Sequence, residues 1–387
     1  MSVTPTPGVI FETVSDEAAF AALGDSWDDL VRTMRRPSPH LLHAWLLAWW
    51  RHYNVDSQLA IHVAYRGDRL VAALPLCVQR RSGLDILTFL GAEQVTLADL
   101  LLAEGEKAAV ASALAERAVS TTTHDFADFH GLPSSSRLGK ALGSSRLQLI
   151  VRAEAPVLEL DGLDWETFYK TRLSSSHRAL HRRRFRQLAR LGRLETTVAR
   201  GREDLAAALE DAFELHALRW SGRPDGSDFG TSTGKQFQRE AAAALAELDV
   251  PRIVTLKLDG RPIAFAYYFK LDKTMCCHRL AFDPEFQRFS PGLVNRYDAL
   301  ENAFAEGATR VEFFGGKERY KMELTDRTEP LHEALGLPES VAGKLVVARR
   351  LNAVRLRRYL KRSPAIRRFY YEGLAPARRI LRVGGGS

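Results

Sequence analysis

The stretch FDPEFQRFSPGLVNRYDAL, residues 282–300, sets Gln287, Arg288 and a Ser-Pro-Gly turn between an apolar run and a helix-like run. Read with CCHRLA before it and ENAFAEGATRVEFFG after it, the stretch predicts a strand, a tight turn, a helix of about fifteen residues and a second strand. The start of such a helix carries unpaired N–H groups and about half a positive charge, which suits phosphate oxygens. Gly292 lets an anion approach that backbone with no side chain in the way.

Upstream, WETFYKTRLSSSHRALHRRRFRQLARLG and EDLAAALEDAFELHALRW read as helices, and RIVTLKLDGRPIAFAYYFK as two strands about a Leu-Asp-Gly-Arg turn. The first half of the chain repeats this order. Helices over 16–36, with Ser15 as N-cap, and over 40–53 precede LAIHVAYRGDRLVAALPLCVQ, two strands about an Arg-Gly-Asp-Arg turn. DILTFLG and an Ala-rich helix over 106–120 follow. At an offset of 192 residues Arg69 falls on Arg261, Val71 on Ile263, Ala72 on Ala264 and Leu90 on Phe282, as an internal duplication would place them.

The 282–300 stretch resembles motif A of the GNAT acyltransferase superfamily, whose pyrophosphate loop reads Gln/Arg-x-x-Gly-x-Gly/Ala. Gln287 matches the first position and Gly292 the last, while Ser290 stands where the first Gly is usual. RRRFRQLARLG, LHALRW, LDGRPIAFAYYF, FDPEFQRFSPG and GGKERYK follow the order seen in CelD-type and FemAB-like double-GNAT proteins. That resemblance covers about residues 156–325 directly and 10–150 by architecture. The fold class it implies is α/β (α+β): two tandem GNAT-like domains with mixed central sheets and a basic C-terminal helical tail. The expected divisions are an N-terminal GNAT-like domain over 1–155, an acyl-CoA-binding domain over 156–335 and the tail over 336–387. GAEQVTLADLL stands where the first domain would need a donor loop, so only the second is expected to bind donor.

In this superfamily the pantetheine lies between two splayed parallel strands, here expected at 274–282 and 309–314. The donor, acyl-CoA, would be held by Phe282, Gln287, Arg288, Phe289, Ser290, Gly292 and Leu293. Acyl transfer from a thioester to an amine needs a proton acceptor and donors for the oxyanion. His216, on a helix of the same domain, is the first candidate base, and a hydrogen-bonded core histidine beside Trp220 is its alternative. Glu312, on the strand after the phosphate-binding helix, is a second candidate base, acting through water. Tyr320 matches the Tyr of the family's Tyr-Lys signature and is placed to protonate the thiolate, with Lys321 contacting phosphate or acceptor. Arg182, Arg183, Arg219 and Trp220 complete the expected substrate contacts.

Cys276 and Cys277 are neighbours on a predicted strand and face opposite ways, which argues against a Cys nucleophile. Among three cysteines there is neither a Cys-x-x-Cys spacing nor a Cys/His cluster, so no metal is expected. Residues 172–193 hold eight Arg, two His and no acid, a face suited to an anion: a CoA phosphate, an acceptor headgroup or a membrane. Leu180, Phe185, Leu188 and Leu191 are expected to pack. With no aromatic stacking motif among these arginines, tRNA is disfavoured as a partner, and DNA is not implied.

Charged residues make up 26% and apolar residues 45% of the 387, a globular composition in which the longest apolar run, LLHAWLLAWW, is too short to span a bilayer. The net charge of +8 conceals an asymmetry: residues 341–387 carry thirteen Lys and Arg against Glu372 alone. Such a block meets anionic surfaces. The combined expectation is a cytoplasmic enzyme peripherally bound to the anionic inner leaflet, acylating the amine of a membrane-associated acceptor. Bacterial ceramide synthases, which N-acylate a sphingoid base, are the specific resemblance. Acetylation of an envelope polysaccharide or its precursor, FemAB-like aminoacyl transfer, and a non-catalytic membrane- or nucleic-acid-binding protein are the alternatives.

Overall fold

The computed structural model describes residues 7–91, 94–160, 162–221, 227–325 and 327–362. The first half runs β1 (Ile10–Val14), α1 (Glu17–Ala21), α2 (Gly24–Arg32), α3 (His43–Tyr53), β2 (Ser57–Leu59), β3 (Ile61–Arg66), β4 (Arg69–Leu74), β5 (Leu76–Arg81), β6 (Leu84–Phe89), β7 (Leu101–Leu102), α4 (Ala108–Thr121), β8 (Phe126–Pro133), α5 (Arg137–Leu142) and β9 (Leu147–Glu159). The second runs α6 (Trp165–Thr171), α7 (Ser175–Ala189), β10 (Leu194–Ala199), α8 (Arg202–Trp220), α9 (Ser232–Ala246), β11 (Pro251–Leu258), β12 (Arg261–Leu271), β13 (Thr274–Phe282), α10 (Pro291–Ala305), β14 (Arg310–Glu312), α11 (Arg319–Met322), β15 (Thr328–Gly336) and α12 (Val341–Arg362). The helix expected over 16–36 is two helices. Its cap is Asp16, whose carboxylate accepts from the Ala19 N–H at 2.8 Å, with Ser15 outside.

Both halves contain an antiparallel hairpin and, further on, a strand-helix-strand unit whose strands pair in parallel. In the second half the hairpin is β11–β12, and β13 pairs parallel with β14 after α10. In the first it is β3–β4, and β6 pairs parallel with β8 after α4. A strand-helix-strand crossover is what parallel pairing requires, and the two halves share that unit. They differ in the hairpin, which continues into β13 in the second half but pairs with β1 and β7 in a separate sheet in the first.

The halves share one sheet. Eleven strands run in the order β10-β11-β12-β13-β14-β9-β15-β8-β6-β5-β2, and β1-β3-β4-β7 form a second sheet. Residue 155 lies within β9, which pairs with β14 on one side and β15 on the other. The main core is likewise continuous: Trp45 of α3 meets Phe237 of α9 edge-on at 4.8 Å between ring centroids. Of the expected tail, α12 covers 341–362, and residues 363–387 lie outside the described residues.

Candidate active site

The parallel contact of β13 with β14 lasts three residues, from Thr274 opposite Arg310 to Cys276 opposite Glu312. Beyond it the strands part. Phe314 and Gly315 adopt positive φ of 48° and 62°, ending the extended run after β14, while β13 continues to Phe282 along β12. Within β13, Tyr267 pairs with Arg279 and Tyr268 with Cys277, leaving His278 as the extra residue of a β-bulge. A bulge bends its strand and re-aims the side chain it carries.

Two cavities meet at this opening. One, of about 340 Å³, is lined among others by His216, Trp220, Tyr267, Leu280, Arg296 and Tyr320. The other, of about 500 Å³, lies between the halves and is lined by His40, Gln94 and Thr96 from the first and by Ser227, Asp228 and Gly315 from the second. Cys277, His278, Arg279, Phe313 and Lys321 line both. The strands that hold the first cavity thus also open onto the second.

His278 is the central group. Burial, with Arg279 and His40 adding repulsion, holds its imidazole well below the ordinary histidine range, so it is neutral at physiological pH. Its Nε2 has no hydrogen-bond partner among the described residues, and its Nδ1 lies 3.4 Å from His40 Nε2. Burial pushes His40 down to about 3, against a favourable contribution from the Thr96 carbonyl. Asp228 accepts from Gln94 Nε2 at 3.0 Å and Tyr53 Oη at 3.2 Å, leaving a buried carboxylate in the cavity wall.

The expected residues divide into three groups. His216, Trp220, Tyr320 and Lys321 come together at the cavities. His216 is buried on α8 with its Nε2 3.2 Å from Ser227 Oγ and its ring against Phe229. Burial raises the Tyr320 phenol well above its ordinary range, so it keeps its proton, and the Arg296 guanidinium stands over its ring. The Lys321 ammonium donates to the Phe314 carbonyl at 2.7 Å and pairs with Glu318. Burial also pushes the Cys277 thiol up to about 12, which keeps it from acting as a thiolate nucleophile.

A second group forms the turn before α10. Asp283 caps the 3₁₀ turn Pro284–Phe289, and Ser290 takes a left-handed φ of 53°. Pro291 has no N–H, Leu293 N–H bonds to the Ser290 carbonyl, and α10 has no side-chain cap. Among the described residues the Gly292 N–H makes no turn or loop bond, so the helix start retains donor capacity for an anion. A Cβ on Gly292 would stand 3.1 Å from Phe282 Cδ1, so glycine serves close packing of that ring rather than an open approach. Leu188 of α7 packs with Phe282, Phe286 and Phe289, and Arg184 donates to the Arg288 carbonyl, seating the basic helix on the loop. Arg219 lies over the Phe282 ring and Arg288 over the Phe289 ring. Leu293 packs into the neighbouring core.

The third group is elsewhere. Arg182 and Arg183 are exposed on α7 and line neither cavity. Phe185 and Leu191 are exposed, leaving Leu188 as the buried apolar residue of α7. Glu312 is buried, as a strand residue facing solvent would not be, and its oxygens accept from Arg36 and Arg310. That geometry gives Glu312 an ion-pair role between the halves and leaves it outside both cavity walls.

Residues 175–322 match a family model described as an acetyltransferase (GNAT) domain. The chain is similar in fold to FemX at 12% identity with a TM-score of 0.56, covering 84% of this chain and 96% of that one. The C-terminal domain of a candidate lysylphosphatidylglycerol synthetase from Agrobacterium fabrum does so at 12% identity and 0.52, covering 86% and 95%. No curated protein matches. The matched segment, an acyltransferase domain of the GNAT type, lies in the half that holds the loop and the splayed strands.

Proposed function

We propose that the protein transfers an acyl group from acyl-CoA to the amine of an amino alcohol, with a sphingoid base as the first substrate. The observation that carries this reading is the sharing of Cys277, His278, Arg279, Phe313 and Lys321 by two cavities at the point where β13 leaves β14. A thioester entering from the loop side and an amine entering between the halves meet there. The uncapped start of α10 and Arg219 suit the donor's phosphates. Asp228 suits an ammonium, and Gln94 and Thr96 suit neighbouring hydroxyls.

In this reading the ammonium beside Asp228 first loses one proton to solvent, the neutral amine attacks the thioester carbon, and the N–H proton of the tetrahedral intermediate passes to His278. The tautomer with His278 Nδ1–H donating to His40 Nε2 leaves His278 Nε2 as acceptor. Collapse of the tetrahedral intermediate breaks the C–S bond, and the protonated Tyr320 hydroxyl or the His278 proton satisfies the thiolate. An amino sugar of an envelope polysaccharide is the second reading, favoured by the polar wall of the inter-half cavity.

The test pairs palmitoyl-CoA with sphinganine, and acetyl-CoA with glucosamine, following free thiol and product mass. An N-acyl sphinganine formed with equimolar CoA supports the first reading, and an N-acetyl sugar the second. Thiol release without either amide would overturn both.

A further inference from the structure

The helix α12 has two apolar faces. Val347, Leu351 and Val354 dock with Phe126, Ile150 and Leu335. On the same face Arg350 pairs with Asp128 at 2.6 Å and with Glu333. Val341, Leu345, Leu356 and Tyr359 follow the spacing of a second stripe on the opposite side, with Ala348 and Asn352 between them. They are 75%, 68%, 57% and 68% exposed.

Charge separates the two faces further. Arg350 is neutralised where the helix docks, whereas Lys344, Arg349 and Arg355, beside or within the outer stripe, form no ion pair among the described residues. The sequence continues past residue 362 with five more arginines and one glutamate. No helix among the described residues is long and apolar enough to cross a membrane. An exposed apolar stripe flanked by cations is the chemistry of a helix lying in the interface of an anionic bilayer, with its apolar side chains among the acyl chains.

We propose that the outer face of α12 is a docking surface for anionic lipid, with Leu345, Leu356 and Tyr359 inserting and Arg349 and Arg355 meeting headgroup phosphates. The surface stands apart from both cavities, so this inference does not rest on the identity of the acyl acceptor.

The test is sedimentation of the full chain with phosphatidylcholine vesicles containing about 30 mol% phosphatidylglycerol, compared with phosphatidylcholine alone. Binding to the anionic vesicles at about 0.1 M NaCl, weakened at about 1 M, is the expected result. Leu345→Glu/Leu356→Glu/Tyr359→Glu should lower partitioning at least about tenfold, and Arg349→Glu/Arg355→Glu by a similar factor, with unchanged thermal midpoints because all five sites are exposed. Equal binding to both vesicle types, triple-variant partitioning equal to wild type, or binding to poly(U) but not vesicles would each overturn the assignment.

Discussion

Arg36 holds Glu312 side-on, with Nε at 2.8 Å from one carboxylate oxygen and a terminal nitrogen at 2.7 Å from the other, across 276 residues of sequence. Arg36 also reaches Glu329 at 3.0 Å, and Arg310 contacts Glu312, Glu329 and Glu159. A bidentate pair this buried ties the first half to β14.

Removing one partner leaves the other buried and under-compensated. Arg36→Met should cost about 3 kcal/mol, the low end for a broken buried pair because Arg310 stays beside Glu312. Arg36→Met/Glu312→Gln should cost less than the two single changes added together. Urea unfolding measures all three, and additive losses would show that the pair is not coupled.

At the donor loop, charge and size can be separated. Gly292→Asp sets a carboxylate at the start of α10, a cost of about 0.3 to 2 kcal/mol in binding an anion, besides crowding Phe282. Gly292→Ala carries only the crowding. Calorimetry with CoA should rank wild type, Ala and Asp in descending affinity, while Gly24→Asp in the first half, where an added Cβ meets nothing within 4 Å, leaves CoA affinity unchanged. Equal affinity for wild type and the Asp variant would remove the loop from the donor site.

For proton transfer, His278→Gln should lower kcat by about 10² or more with little change in KM for acyl-CoA. His216→Gln should lose less, since the His216 ring packs on Phe229 and meets Ser227. Tyr320→Phe should also lose less, because a second proton source remains. A His216→Gln loss larger than that of His278→Gln would reassign the base to α8.

Stability should carry the mark of the buried imidazole at His40. Its native value is near 3 against an ordinary value near 6.5, so below that pH the unfolded chain takes up a proton that the native chain refuses. Unfolding free energy therefore falls with decreasing pH from about 6.5 towards 3, by up to about 1.4 kcal/mol per unit for this residue, and its contribution is complete above that window. His278 acts in the same direction. Urea titrations between about pH 4.5 and 7.5 should show a shallower slope for His40→Gln. An unchanged slope would mean that His40 already protonates in the native protein.

The parts of this fold legible in sequence are those set by near neighbours. The hairpins about Gly67 and Gly260 declare themselves by alternating apolar residues and tight turns, and α10 by the Ser-Pro-Gly that opens it. The site was legible only on one side. His40 and His278 are 238 residues apart and meet through Trp45 and Phe269, a packing no local pattern encodes. Glu312 reads as a candidate base for the same reason, since its partner Arg36 follows a helix in the other half. β15 was missed because Thr-Glu-Pro-Leu-His-Glu reads as a polar loop, although its backbone fills the gap between β8 and β9.

That last strand imposes an order on biosynthesis. A nascent chain that has made β8 and β9 exposes two strand edges along which its own partner has not yet been translated. The first half waits for residues 328–336 before its sheet closes. Ribosome-bound or truncated fragments ending before Thr328 are therefore the species in which aggregation competes with folding, and chaperone demand should fall sharply once Gly336 has emerged.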